Sequence, residues 1–406
     1  MDDIISQGPG PGHRTWRGRL TVGAIVLAVL AVLIVQHLPR GQQPRPDRPG
    51  TATGKGPPAS PGPSAVAFPA VRPARPDGIS GPTAAWSAGL RLPVGGDRPA
   101  WLWPATGRLE PIGGLPAAGS GYVFTRALGG WAVQPAAAAG QGCAGCSERP
   151  RPVYFLADRA RSVAAVGVAD RVAPAVEPGA LWLTSFPARA DPARVAWFAR
   201  EVRVGGATVG APIRLPAGYL IDAATDRGLL LVRAVQAGPA PVYDLWNPVL
   251  GTVSRTFRGV IAASAGQIAW TSGCASRCLL DVLDLATARQ TEIVLPEASS
   301  AARGAFSPDG RLLALELSFG NGGDGGATAT RLEVATAPGG RLTVVPGTWA
   351  SSDALTGFGW PSDDDRLVAE LSFVTKVQVA SWRPGARRLA VAVVRPGQDP
   401  NALVVG

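Results

Sequence analysis

Histidine is almost missing from this 406-residue chain. The only two, His13 and His37, lie near the N-terminus. The rest of the chain therefore cannot build a Ser-His-Asp or Cys-His nucleophile system, nor a histidine-ligated zinc or copper site. Lysine is nearly as scarce: Lys55 and Lys376 are two of 39 basic residues, and arginine supplies the rest. Arginine in place of lysine, beside 52 glycines, 39 prolines and abundant alanine, is the mark of a GC-rich genome. A concentrated basic stripe is lacking too. The net charge of +10 divides equally between residues 1–77 and residues 78–406. In the larger segment the arginines are scattered among acids, which excludes nucleic acid as a partner on charge grounds.

Charge is also missing from residues 20–38, LTVGAIVLAVLAVLIVQHL, which contain no Asp, Glu, Lys or Arg. At ~1.5 Å per residue such a helix reaches about 28 Å, enough for a bilayer core of roughly 30 Å. The run is longer than the apolar core of a signal peptide and ends in Val35, Gln36, His37 and Leu38, a poor cleavage site. These features predict an uncleaved transmembrane helix after a cytoplasmic tail of residues 1–19. Arginines flank both ends, so the positive-inside rule does not set the orientation. The short N-terminal tail and the paired cysteines downstream predict N-terminus inside and the bulk outside the cytoplasm. Residues 39–77 are dominated by Pro, Gly, Ser and Thr, and read as a disordered, proline-stiffened linker.

From residue 78 to 406 the chain is a series of short apolar runs broken by Gly, Pro, Asp and Asn. No long stretch keeps a helical period without Gly or Pro, so the expectation is an all-β domain. The runs repeat. Similar segments begin at Gly121, Gly218, Gly259, Gly304 and Gly357, the last four at intervals of 41, 45 and 53 residues. Two more degenerate units fit at 83–103 and near 180–199, for seven in all. Each unit has a short strand, a small or acidic turn, a strongly apolar strand, and then a hairpin such as YDLWNPVLGTVSRTF from Tyr243. Four strands per 40–50 residues predict a β-propeller blade. Ring closure is expected through the strand at Val391 to Val394 or the tail ALVVG at 402–406.

The stretch FSPDGRLLALE at 306–316 resembles the repeat of TolB-type and other WD40-like β-propellers, with WPSDDDRLVAEL from Trp360 as a degenerate copy. In that repeat Ser307, Pro308, Asp309 and Gly310 make the tight turn between the first two strands of a blade. The layout of tail, membrane span, proline-rich linker and degenerate propeller is similar to single-pass membrane proteins of GC-rich actinobacteria. The resemblance implies a β-propeller of about seven four-stranded blades at the cell membrane.

Four cysteines come in two close pairs, Cys143 with Cys146 and Cys274 with Cys278. Each pair falls between a second and a third strand. Opposed hairpin residues have Cα atoms about 4.5–5.5 Å apart, within disulfide range. Two local disulfides are therefore expected rather than a four-cysteine zinc site or a redox couple at a helix start. Asp363 to Asp365 and the glycine-rich loop around Asp324 lack the alternating carboxylates of a calcium loop. Twelve tryptophans raise the question of sugar binding; Trp101 and Trp103 alternate on one strand, whereas Trp131, Trp182, Trp197, Trp270 and Trp360 read as packing between blades. The expectation is a module that binds a protein, peptide or glycan, without catalytic, cofactor-binding or metal residues. The alternative is a carboxylate-dependent enzyme acting on envelope glycans. Facing acids in the central channel would favour that alternative.

Overall fold

In the computed structural model the described residues run from 85 to 394. They exclude 120, 137–149, 186–195, 234–239, 275–277, 298, 320–328, 338, 349–354, 362–365 and 374–375. They form seven antiparallel sheets in chain order. Blade 1 covers 92–111, blade 2 122–169, blade 3 171–214, blade 4 219–258, blade 5 260–294, blade 6 299–344 and blade 7 355–394. Blades 2 to 7 each have four strands paired in sequence order; blade 1 shows three.

The first strands of neighbouring blades touch one another, as 122–127 does with 171–174 and 260–263 does with 299–306, so they surround the axis. Second and third strands are sandwiched between blades and read as nearly unbroken apolar runs. In the second strand of blade 6, Leu312–Phe319, residues Leu313, Leu315 and Leu317 are fully buried. Each contributes roughly 1.5–3 kcal/mol by leaving water. Fourth strands lie at the rim, and Thr208–Arg214 of blade 3 alternates only between half-buried and exposed positions. By the same criterion blade 1 supplies second, third and fourth strands: Leu92–Val94 and Ala100–Trp103 are buried, and Arg108–Pro111 is mostly exposed.

Seven apolar clusters fill the seven gaps between successive blades. The one between blades 7 and 1 joins Val368, Val377 and Val379 to Leu92, Val94 and Leu102. The chain is a closed seven-bladed β-propeller. Its closure differs from one expectation. Ala390–Val394 is the fourth strand of blade 7, paired with Lys376–Trp382, and not a strand of blade 1. Side-chain packing joins those two blades instead. The tail at 402–406 lies outside the described residues.

Local chemistry explains the turns. In blade 6, Ser307 Oγ donates to Asp309 Oδ1 at 2.6 Å, and Asp309 Oδ1 accepts from the Arg311 amide at 3.1 Å. Gly310 takes φ +69, a region that glycine enters without steric cost. Those contacts hold the Asp309 carboxyl below its ordinary range, the Ser307 hydroxyl foremost. The repeat glycines are not equivalent. Gly121, Gly218 and Gly259 sit at positive φ just before a first strand, whereas Gly304 and Gly357 lie within one.

First strands in blades 4 to 7 share a β-bulge. The unpaired residues are Asp222, Ile261, Ala302 and Thr356, each exposed or half-buried on the innermost strand. A bulge leaves one residue out of the ladder and turns it outward.

Candidate functional site

An opening lies between blades 1 and 2, at the end of the ring where first strands turn into second ones. It is a cavity of about 440 Å³. Blade 1 contributes Arg91, Trp101, Trp103 and Glu110; blade 2 contributes Arg126, Trp131, Asp158, Arg159 and Arg161. Ser87 and Leu90 wall it from the segment entering blade 1, and Pro361 closes it from blade 7.

Asp158 is its hub. It follows the third strand of blade 2, Arg151–Ala157, and its amide donates to the Gly129 carbonyl at 3.2 Å. Its main-chain carbonyl accepts from Arg91 Nε at 3.0 Å and Nη2 at 2.7 Å. Its carboxylate accepts from Arg126 Nη1 at 2.5 Å and Nη2 at 3.1 Å. Arg91 therefore straps blade 1 to blade 2, and Arg126 locks the turn within blade 2. Gly130 is required in that turn: a Cβ there would lie 2.4 Å from the Leu156 carbonyl oxygen.

Both guanidinium groups lie over tryptophan rings. Arg91 Cζ is 4.3 Å from the Trp101 centroid and 5.8 Å from that of Trp103; Arg126 Cζ is 4.8 Å from that of Trp131. Such stacks contribute ~0.5–2 kcal/mol each. Trp101 is buried, and its Nε1 donates to the Ala160 carbonyl at 2.9 Å. Trp103 is half-buried, and its buried Nε1 has no hydrogen-bond partner among the described residues.

The mouth is more loosely held. Glu110 Oε1 forms an ion pair with Arg161 Nε at 3.1 Å, and its Oε2 accepts from Arg108 Nη2 at 3.1 Å, with Arg161 80% and Arg108 64% exposed. Exposed pairs of this kind contribute about 0–1 kcal/mol. Four arginines thus face two carboxylates around a flat, partly aromatic hollow.

Among the residues singled out from sequence, Trp101 and Trp103 line this cavity. Trp131 does so as well while packing between blades 1 and 2, and Trp197, Trp270 and Trp360 are buried in other gaps. A disulfide joins Cys274 to Cys278 in the loop between the second and third strands of blade 5, Cα atoms 4.0 Å apart. Cys143, Cys146, Asp324 and Asp363 to Asp365 lie outside the described residues, as do residues 1–84. Among the described residues no three His, Cys, Asp or Glu side chains gather as a metal site, and no helix is long and apolar enough to cross a membrane. The arginines and Asp158 were not evident in the sequence, because arginine is everywhere in it. The one legible signal was the alternating pair Trp101 and Trp103.

Of the four bulge residues only Asp222 is acidic; burial pushes its carboxyl up. Burial, then the charge of Asp222, pushes the Tyr243 phenol up to about 12. Glu370, buried on the second strand of blade 7, is pushed up to about 7 by burial, partly offset by a hydrogen bond to Thr356.

No protein-family model matches the sequence, and no curated protein matches it. Solved structures resemble it distantly. A protein from Lactobacillus plantarum is 11% identical, with 78% of this chain covering 98% of that one at a TM-score of 0.44. Prolyl oligopeptidase B from Galerina marginata is 10% identical, with 75% of this chain covering 48% of it at a TM-score of 0.45. One of two prolyl endopeptidases is 14% identical, with 78% of this chain covering 50% of it, again at 0.45. The chain thus spans about half the length of these peptidases. Their presence corrects the expectation that the chain is not an enzyme. Peptidases stand among its structural neighbours, and a propeller scaffold leaves catalysis to the residues it carries.

Proposed function

We propose that this protein is a binding module of the cell envelope. In this reading the helix at 20–38 anchors it, the linker at 39–77 holds the propeller away from the membrane on the outer side, and the cavity between blades 1 and 2 receives the ligand. That ligand is a segment of a protein, peptide or glycan about two or three residues long. The carrying observation is the cavity itself, 440 Å³ with arginine and tryptophan walls. Ligand sites are concave hollows of roughly 300–1,000 Å³ with a few convergent polar groups.

The test is crosslinking in native membranes. A photoreactive residue is placed in the full-length protein at Ser87, on the cavity wall, or at Asp97, outside it. A specific adduct from position 87 alone supports the reading. Equal adducts from both positions, or none from either, overturn it.

A further inference from the structure

We propose that the tip Pro248, Val249 and Leu250, at the corner between the third and fourth strands of blade 4, is a contact knob that seats in an apolar recess of a folded protein partner. This deepens the binding reading above and rests on it: the partner is the protein whose segment the cavity receives.

Exposure singles the tip out. Val249 is 90% and Leu250 70% exposed, whereas the other exposed large apolar side chains lie between 41% and 54%. Single apolar residues are ordinary on a protein surface. Here two stand side by side, and Val253, three residues on, is half-exposed as well.

The fold does not require them. Blade 1 builds the same corner from Trp103, Pro104, Ala105, Thr106 and Gly107. Trp103 pairs with Arg108 there as Asn247 pairs with Thr252 in blade 4. In both corners the glycine takes a positive φ, +67 at Gly107 and +66 at Gly251. Its amide donates to the carbonyl of the first residue, at 2.8 Å in blade 1 and 2.9 Å in blade 4. Ala-Thr serves one corner as Val-Leu serves the other, so apolar bulk is not a need of the turn.

The blade 4 corner is also ready to be enclosed. Asn247 Oδ1 accepts from the Val249 amide at 2.9 Å and from the Leu250 amide at 3.0 Å. Pro248 has no N–H. Every amide from 248 to 251 is therefore absent or bonded within the turn, and covering the tip with apolar atoms strands no donor. Trp103, at the matching place in blade 1, has no side-chain acceptor.

The surroundings point to the kind of partner. Corners after first and after third strands lie at the same end of an antiparallel blade, so the tip shares its end of the ring with the cavity. The matching corners beside it, 204–207 in blade 3 and 286–288 in blade 5, are exposed and uncharged. Arg203 at the edge of this arc is paired with Glu177. Charge depletion around an apolar centre is the composition of a protein interface core. A lipid surface would call for basic residues beside the apolar tip, and a glycan has no apolar recess to receive it. Two copies related by a two-fold axis would set tip against tip, convex on convex.

The experiment is crosslinking of the full-length protein in native membranes with a photoreactive residue at Leu250, read beside those at Ser87 and Asp97. Adducts are identified by peptide sequencing. The same protein is expected at 250 and at 87. That protein, once purified, is expected to bind the Val249→Ala, Leu250→Thr double variant about 10–100-fold more weakly, the loss of two buried apolar side chains. The variant installs the pair that blade 1 carries, and an unchanged melting temperature shows that the fold is intact. Undiminished binding by the variant overturns the inference. So does an adduct at 250 with lipid, with a second copy of this chain or with a protein other than the one at 87. No adduct at 250 beside one at 87 overturns it and leaves the cavity reading standing. A protein adduct at 250 with none at 87 overturns the cavity reading and keeps the tip as the contact; none at either position overturns both.

Discussion

Blades 6 and 7 place a glutamate at the same point of their second strands and surround it differently. In blade 6, Glu316 lies opposite Arg303 of the first strand, and Arg303 Nε donates to Glu316 Oε2 at 2.6 Å. The same guanidinium reaches the Thr356 and Leu355 carbonyls of blade 7 at 3.1 and 3.0 Å, so it braces the two innermost strands. In blade 7, Glu370 lies opposite Gly357, which offers no side chain. Its carboxyl is pushed up to about 7. One repeat position therefore holds a neutralised brace in one blade and a buried acid facing a glycine in the next. Arg91 at the junction of blades 1 and 2 is a further variation. It too reaches across to the carbonyl of a neighbouring blade, but its surroundings open into the cavity. Bracing and ligand reception draw on the same residue type, and the neighbouring residues divide the roles.

The largest effect expected from this contrast is at Glu370. Its pKa rises on folding from an ordinary 4.5 to about 7. Its contribution to stability is therefore full below the unfolded value and is lost as the pH climbs through about 7. That shift corresponds to roughly 3 kcal/mol. Glu370→Gln is expected to match the native protein near pH 4 and to exceed it by about that amount near pH 8, read by urea unfolding at both pH values. A constant difference between the two proteins across that range would remove the burial argument.

Arg303→Ala is the next largest. It strips a buried carboxylate of its partner and releases two carbonyl bonds. Removing one partner of a fully buried pair costs ~3–5 kcal/mol, and the half-exposed Arg303 brings this down to about 1–3 kcal/mol. The double variant with Glu316→Gln is expected to recover part of the loss, since no unpaired charge remains. Additive losses in that cycle would show that the two side chains act independently. Arg161→Ala is the smallest, at most about 0.5 kcal/mol of stability for an exposed pair. A melting temperature that falls as far as that of Arg303→Ala would make Arg161 a brace.

The propeller was readable because its blades repeat a pattern that the backbone enforces. Gly310 at positive φ and the fully buried alternation of Leu313, Leu315 and Leu317 are local facts with local signatures. Ring closure was not readable in that way. Ala390–Val394 is apolar enough for an inner or an outer strand, and only its pairing with Lys376–Trp382 decides which. The cavity was half-legible. The alternation of Trp101 and Trp103 was visible, but Arg91, Arg126 and Asp158 come together over 67 residues of chain. In a sequence crowded with arginine, no local feature sets those three apart. The same holds for Glu316 and Glu370, whose difference depends on what stands opposite them.

The central claim is that the cavity between blades 1 and 2 is where this propeller meets its ligand. Photocrosslinking in native membranes from Ser87, on the cavity wall, and from Asp97, outside it, tests it most directly. A specific adduct from position 87 alone is the expected result. Equal adducts from both positions, or none from either, would contradict it.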